Sequence, residues 1–309
     1  MSSELLLWVG FGAFVVFMLV LDLGVFHRSA HAVSIREALV WCVVWIGLAL
    51  LFNLGIYFWK GPVKALEFLA GYLIEEALSV DNLFVFLVIF TTLAIPPRLQ
   101  HRVLFWGILT ALVLRAAMIF AGTALLARFH WLIYVFGGFL ALTGVKLLAT
   151  RPIGEPHPER SALFRLVRRL VPTTSRIEGH HFLLREGGRW VATPLLLALV
   201  LIEISDVVFA LDSIPAIFGI TLDPFIVFTS NIFAILGLRS LYFALSSSVD
   251  RFSRLRHGLA LVLIFIGGKM LVAPWIHVSQ GVSLGVVAGL LGGSLGASGI
   301  WPVKEGPKA

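Results

Sequence analysis

The residues best suited to chemistry in this chain are carboxylates in places where carboxylates are costly. Asp22, Glu75, Glu76, Asp81, Glu203, Asp206 and Asp212 are read as lying inside apolar, membrane-length segments. An acid at the centre of a bilayer costs about 2.5–3.5 kcal/mol on insertion scales, so seven without a role are improbable. Six of the seven share two segments, 65–94 and 193–220. In the first, Glu75, Ser79 and Asn82 step by four and three and share one helical face. In the second, Asp206 and Ser213 take the equivalent face, and Glu203 joins them three residues earlier. Asp81 and Asp212 point about 120° away from that face at the usual helical spacing. Polar groups on two faces suit helices surrounded by protein rather than lipid.

The donors are hard oxygens, with no histidine or cysteine close by. Such a set suits Mg²⁺, Ca²⁺ or Mn²⁺ better than Cu⁺ or Zn²⁺. A structural alternative is that the acids form buried ion pairs with Arg115, Arg239, Lys146 and Lys269. The lysines lie near segment ends, where they can snorkel, so six acids face two arginines and negative charge is left over. A cation, protons or an exchange between them would neutralise it. Arg115 and Arg239 themselves fit charge-balancing or gating roles rather than ligation. Pro215 follows Asp212-Ser213 and frees a carbonyl near Leu211, either as a kink or as a helix break beside the acids.

Composition fixes the setting. Of 309 residues, 59% are hydrophobic and 13% charged, against about 25% charged in a soluble domain. Mean hydropathy is +0.97. A soluble enzyme, a disordered chain and a disulfide-stapled domain are all excluded. Cys42 is the only cysteine, so no intrachain disulfide or cysteine metal site is possible. No P-loop, HExxH or GxSxG pattern is present, which argues against ATP drive and the commoner hydrolases. No enzyme activity and no resident cofactor are expected.

A membrane helix needs about 20 apolar residues. Nine candidate spans satisfy this: 5–26, 39–59, 65–94, 103–127, 131–150, 193–220, 224–247, 257–275 and 280–300. The first does not read as a cleavable signal peptide, because Ser2, Ser3 and Glu4 offer no basic flank. The fold expected is an all-α polytopic membrane helix bundle. Basic residues gather on alternate loops, with eight arginines in 151–192 and only Lys60, Lys64 and Arg128 on the other side. By the positive-inside rule the N-terminus lies outside and the C-terminus in the cytoplasm. The net charge of +7 therefore reflects topology, and no nucleic-acid partner is expected. The run from Arg160 to Leu170 could be a basic amphipathic helix on the membrane surface or a solvated connector. His180-His181 reads as a solvated pair, and Asp22 as either a pathway residue or a helix cap.

The chain also carries a weak duplication. Glu75 corresponds to Asp206, Asp81 to Asp212, Arg115 to Arg239 and Lys146 to Lys269. Each copy spans three helices, so the two insert with opposite topology. Inverted repeats of this kind are a signature of secondary transporters, with the site near the midplane at the repeat interface. The organisation expected is two leading helices (1–64), repeat 1 (65–150), a cytoplasmic basic loop (151–192), repeat 2 (193–276), and a last span with its tail (277–309).

Glu75 to Phe86 (EEALSVDNLFVF), Glu203 to Ile217 (EISDVVFALDSIPAI), Thr229-Ser230-Asn231 and Gly237-Leu238-Arg239 resemble the TerC/Alx family of bacterial membrane proteins. So does Asp22-Leu23 followed by His31 to Ala38. The resemblance covers nearly the whole chain. It implies a multi-span inner-membrane protein related to the LysE-type transporter superfamily. It further implies a link to manganese export, to pH-responsive control of cytosolic manganese, and to tellurium resistance. Its acidic motif positions fall on Glu75, Asp81, Glu203, Asp206 and Asp212, with Asn82, Ser213 and Asn231 as neutral neighbours. Glu76 departs from the pattern, since a relative carries a basic residue there, and it ranks below the other acids.

The expected function is Mn²⁺ export across the inner membrane, coupled to protons or to the membrane potential. Glu75, Asp81, Asp206 and Asp212, helped by Glu203, Asn82 and Ser213, would hold the cation. Arg115, Arg239, Asn231 and Asp22 would balance charge or gate. The bilayer, Mn²⁺ and H⁺ are the partners implied. Two rivals stand: a membrane scaffold or metal-loading factor, and a tellurium-compound resistance protein. The surplus of acids weighs against an oxyanion site. An intramembrane hydrolase lacks a nucleophile–base pair.

Overall fold

The computed structural model of the chain describes residues 3–26, 34–149, 172–174, 176–186, 188–245, 255–276 and 278–300. The side chains of 3–4, 21–26, 81, 255–256, 295 and 298–300 lie outside that description. Nine helices are present among the described residues: α1 (Ser3–Phe26), α2 (Ile35–Lys60), α3 (Pro62–Thr92), α4 (Pro97–Arg128), α5 (Leu132–Ala149), α6 (Pro194–Phe218), α7 (Pro224–Leu245), α8 (Leu255–Val272) and α9 (Gln280–Ile300). Each matches one expected span to within a few residues. The helices outrun the apolar stretches where local chemistry starts them early. Ser34 caps α2 by accepting a hydrogen bond from the Glu37 amide at 3.2 Å. Prolines open α3, α4, α6 and α7, where the missing N–H costs nothing. Gly61 alone joins α2 to α3, at a φ of +91° that glycine reaches without strain.

Helices α2, α4, α5, α6 and α7 are long and apolar enough to cross a membrane, and α1, α8 and α9 contain shorter apolar stretches. Large apolar side chains point outward along α1 and α2, with Phe58 78% and Val43 70% exposed. In water such a surface would be unstable; against lipid tails it is the ground state.

Helices α3 and α4 each pack on both α6 and α7, and α5 packs on α8. This set of pairs is unchanged when α3–α5 and α6–α8 are exchanged. The α5–α8 contact is close because it runs through glycines. A Cβ on Gly144 would lie 2.6 Å from the Ala260 carbonyl oxygen, and one on Gly267 2.5 Å from that of Gly137. Small residues allow this approach where lipid offers no hydrophobic drive.

The most enclosed helix is α7, where every residue from Phe225 to Ser240 except Phe228 is buried. The sequence-based expectation surrounded the third and sixth spans with protein; α3 meets it, with no described residue from Lys64 to Phe90 exposed, and α6 does not. On α6, Val207, Val208 and Leu211 are exposed, so one face of that helix looks outward. Nor is α6 broken at Pro215. The helix continues to Phe218, with the Gly219 amide donating to the Pro215 carbonyl at 3.1 Å. Proline in the last turn removes a single hydrogen bond, which the helix tolerates.

The connections gather at two ends of the bundle. At the first end the α2–α3 joint meets the α6–α7 loop, where Lys60 lies 3.3 Å from Asp223. There too, Gln280 at the start of α9 donates to the Ile220 carbonyl at 2.8 Å. Exposed Trp59, Trp131 and Trp275 lie at the helix ends there, the depth tryptophan favours in a bilayer. At the second end Ile177 and Phe182 pack against the apolar starts of α4 and α6, and an antiparallel hairpin follows them. It pairs β1 (Leu183–Glu186) with β2 (Arg189–Ala192), Leu183 opposite Ala192. Gly188 turns it at a φ of +81°. This hairpin corrects the reading of 151–192 as a basic loop alone: its four-residue strands are too short to leave a periodic signal. The proposed amphipathic helix 160–170 and the tail 301–309 lie outside the described residues.

Candidate functional site

Arg115 is the centre of the site. It sits on α4 and is 1% exposed, although the bilayer centre is the most expensive place for a guanidinium. Five polar contacts from three other helices offset that cost. Asp206 of α6 receives two hydrogen bonds, from Nε at 3.3 Å and Nη2 at 2.9 Å. That two-pronged geometry is the strongest an arginine makes with a carboxylate. Nη1 donates to Glu75 of α3, to the Asn231 carbonyl oxygen of α7 at 2.7 Å and to Ser213 of α6 at 3.4 Å. The cluster therefore draws on α3 and α4 from one expected repeat and on α6 and α7 from the other. Glu75 and Asn231 are 0% exposed, Ser213 1% and Asp206 3%.

Several donor and acceptor atoms around this pair are buried without a partner among the described residues. They include Glu75 Oε2, Asn82 Oδ1 and Asn231 Nδ2. The carboxyl oxygens of Glu203 are buried as well, with the Thr110 hydroxyl as their polar neighbour. Glu203 lies one turn before Asp206, against Gly107 of α4, where a Cβ would stand 3.7 Å from its Oε1. Orphaned buried oxygens are uncommon in native structures, and each calls for a cause.

The sequence-based set is thus partly brought together. Glu75, Asp206, Ser213, Asn231 and Arg115 meet directly. Asn82 is buried on the Glu75 helix, and Arg239 is buried further along α7. Asp212 is half-buried beside outward-facing Leu211. Glu76 points the other way, its Oε1 3.5 Å from the place of a Cβ on Gly237. Asp22 and Asp81 are on α1 and α3, but their side chains lie outside the described residues. Among the described residues no three His, Cys, Asp or Glu side chains form a group that could hold a metal ion. His180 and His181 are exposed.

Sequence reasoning missed a second charged cluster, at the first end. Glu67 is 6% exposed. It accepts hydrogen bonds from Lys64 at 2.8 Å and from Thr221. Asp223 pairs with Lys60 at 3.3 Å and Lys64 at 3.6 Å, and caps α7 by accepting from the Phe225 amide at 3.0 Å. Burial pushes the Asp223 carboxyl up, but the two lysines outweigh it and hold it below the ordinary 3.8. Glu67 and Lys64 stand at the start of a span, where charges read as flanking residues. Their burial comes from the α6–α7 loop folding over them, which no local pattern announces.

A bundle with a lipid-facing apolar surface and a buried charge cluster at its centre is a multi-pass integral membrane protein. Residues 60–302 match the family described as integral membrane protein TerC, and the chain belongs to that family. It is 61% identical over 278 residues to an uncharacterised membrane protein of Myxococcus xanthus, covering 90% of this chain and 87% of the relative. It is 50% identical over 288 residues to a Salmonella typhi protein whose name describes a membrane-bound redox modulator, Alx, covering 90% and 89%. The Escherichia coli K12 protein of the same name is 47% identical over 288 residues, covering 90% and 89%. No solved structure matches the chain.

Proposed function

We propose that this protein exports a divalent cation, Mn²⁺ foremost, from the cytoplasm across the inner membrane. The observation that carries the reading is the Arg115 cluster, in which one buried arginine ties Glu75 of the first repeat to Asp206 of the second. In this reading Arg115 is a built-in counter-charge. It neutralises the two carboxylates when no cargo is bound and must leave them when a cation arrives. Glu75 Oε2 and Asn82 Oδ1, unpartnered among the described residues, and the buried Glu203 carboxyl are the hard ligands such a cation would recruit. Asp81 and Asp212 would extend the pathway on the neighbouring face. The exchange symmetry of the helix pairs supports two similar states, each open to one end.

In this reading the first end faces outside and the hairpin end the cytoplasm, as the positive-inside rule favours. Export against an inside-negative potential costs roughly 2.3 kcal/mol per elementary charge per 100 mV, about twice that for a divalent ion. Proton uptake onto the vacated carboxylates supplies a counter-flow. The redox role in the relatives' names has one thiol to draw on in this chain, Cys42. An oxyanion reading has less support, because Arg115 is already held by two acids.

The test is Mn²⁺ uptake into inside-out proteoliposomes, with and without an imposed pH gradient. Gradient-dependent uptake should be lost in Asp206→Asn and Asp212→Asn. Absent flux from folded, correctly inserted protein would overturn transport and favour a membrane scaffold or metal-loading role.

A further inference from the structure

None of the closely packed helix pairs includes α1. That helix is held instead by aromatic side chains reaching across a gap. Phe11 meets Phe52 at 5.3 Å between ring centroids, Trp8 meets Phe225 at 5.2 Å, and Phe14 meets Phe233 at 5.7 Å. Between α1 and α2, on the membrane-facing side, lies a cavity of about 470 Å³ lined almost wholly by apolar side chains. Gly10 and Gly55 face each other's helices across it, and the space where their side chains would be is open. These glycines are not used for close packing, as those of α5 and α8 are. They hollow out a slot.

An apolar slot left unfilled forfeits dispersion contacts on every wall. Inside a bilayer the molecules at hand to fill it are lipid chains. The slot also has a polar end. Trp59 and Phe225 close it at the first end, and the Lys60 ammonium lies 5.1 Å from the Phe225 ring centroid. Lys60 and Lys64 pair with Asp223, and Lys64 and Lys269 with Glu67, so this connected cluster sets three ammonium groups against two carboxylates among the described residues. In that cluster one positive charge is in surplus at the depth of lipid phosphates, which a phosphodiester would satisfy. We propose that the α1–α2 slot is a binding site for one anionic phospholipid, with an acyl chain between Gly10 and Gly55 and its phosphate against Lys60. Apart from Lys60 and Phe225 the slot is built from residues before the family match, and the proposal does not depend on what the protein transports.

The experiment uses the full-length protein in phosphatidylcholine nanodiscs with a trace of phosphatidylglycerol carrying a photoreactive acyl chain. Cross-links are mapped by mass spectrometry. Label should concentrate several-fold on slot residues such as Phe14 and Leu51 over outward-facing Val43 and Phe58. Unlabelled phosphatidylglycerol should displace it better than added phosphatidylcholine, and Lys60→Gln should remove that headgroup preference. Gly55→Leu, which fills open space, should abolish slot labelling at unchanged folded yield, with Gly10→Leu as the second variant if that one folds poorly. Uniform labelling of the outward faces, slot labelling unaffected by both leucines, or equal displacement by the two lipids would each overturn the proposal.

Discussion

Arg115 and Lys60 are both held by carboxylates from distant parts of the chain, yet the two pairings stand in different surroundings. Arg115, Glu75 and Asp206 are sealed between four helices, with side-chain exposures of 1%, 1% and 5%. Lys60, Lys64 and Asp223 lie at a bundle end with 23%, 32% and 17%. Water can screen the second group and solvate whatever is left when a partner is removed. It cannot reach the first. The same chemistry is therefore a structural and functional commitment in one place and a weak fastening in the other. In the proposed transport reading, only the buried pair, whose members cannot be parted without something taking the arginine's place, couples cargo binding to conformation.

Mutations can break or sharpen this contrast. The largest effect is expected for Arg115→Leu, which strands two buried carboxylates and should cost about 3–5 kcal/mol of stability. Unfolding in mild detergent would measure it. A loss below about 1 kcal/mol would place the cluster on the same footing as a surface pair. Asp206→Asn comes next, because Glu75 still holds Arg115. It should be less destabilising than Arg115→Leu while abolishing Mn²⁺ flux. Asp223→Asn keeps a good cap for α7 but removes both lysine pairings, and about 1 kcal/mol or less is expected in the same assay.

The smallest effect is a pH dependence. Because Lys60 and Lys64 hold Asp223 below its ordinary value, its charged form is favoured by folding. Its contribution is fully present above the unfolded-state value and lost as pH falls through the lower folded one. The stability gap between the protein and Asp223→Asn should be flat from neutral pH down to about 4 and close only below that. A gap that closes between pH 7 and 5 would mean the lysines do not hold the carboxylate as described.

Much of the architecture could be read from the chain, because apolar stretches of membrane length carry nearly the whole fold. Each described helix answers to one such stretch, and Arg115, Glu75, Asp206, Ser213 and Asn231 stand out as polar residues in apolar runs. What failed to show was set by long-range packing. That α7 is the enclosed helix depends on α2, α3 and α4 closing around it, although Thr229-Ser230-Asn231 in an apolar span was a usable signal. That Asp212 is half-exposed while Asp206 is sealed reflects which side of α6 meets α4. The burial of Glu67 depends on a loop some 150 residues away, and its position near a helix start gives no hint of it.

In the proposed mechanism Arg115 and the exported cation compete for the same carboxylates. Mn²⁺ binding to purified protein, followed by the paramagnetic resonance of the free ion, tests this directly in Arg115→Gln. Removing the counter-charge should tighten Mn²⁺ binding and raise the thermal stability of the variant when Mn²⁺ is added, while proteoliposome flux falls because nothing displaces the ion. Unchanged or weaker Mn²⁺ binding by a folded Arg115→Gln protein would contradict the account and leave the cluster as a structural ion pair.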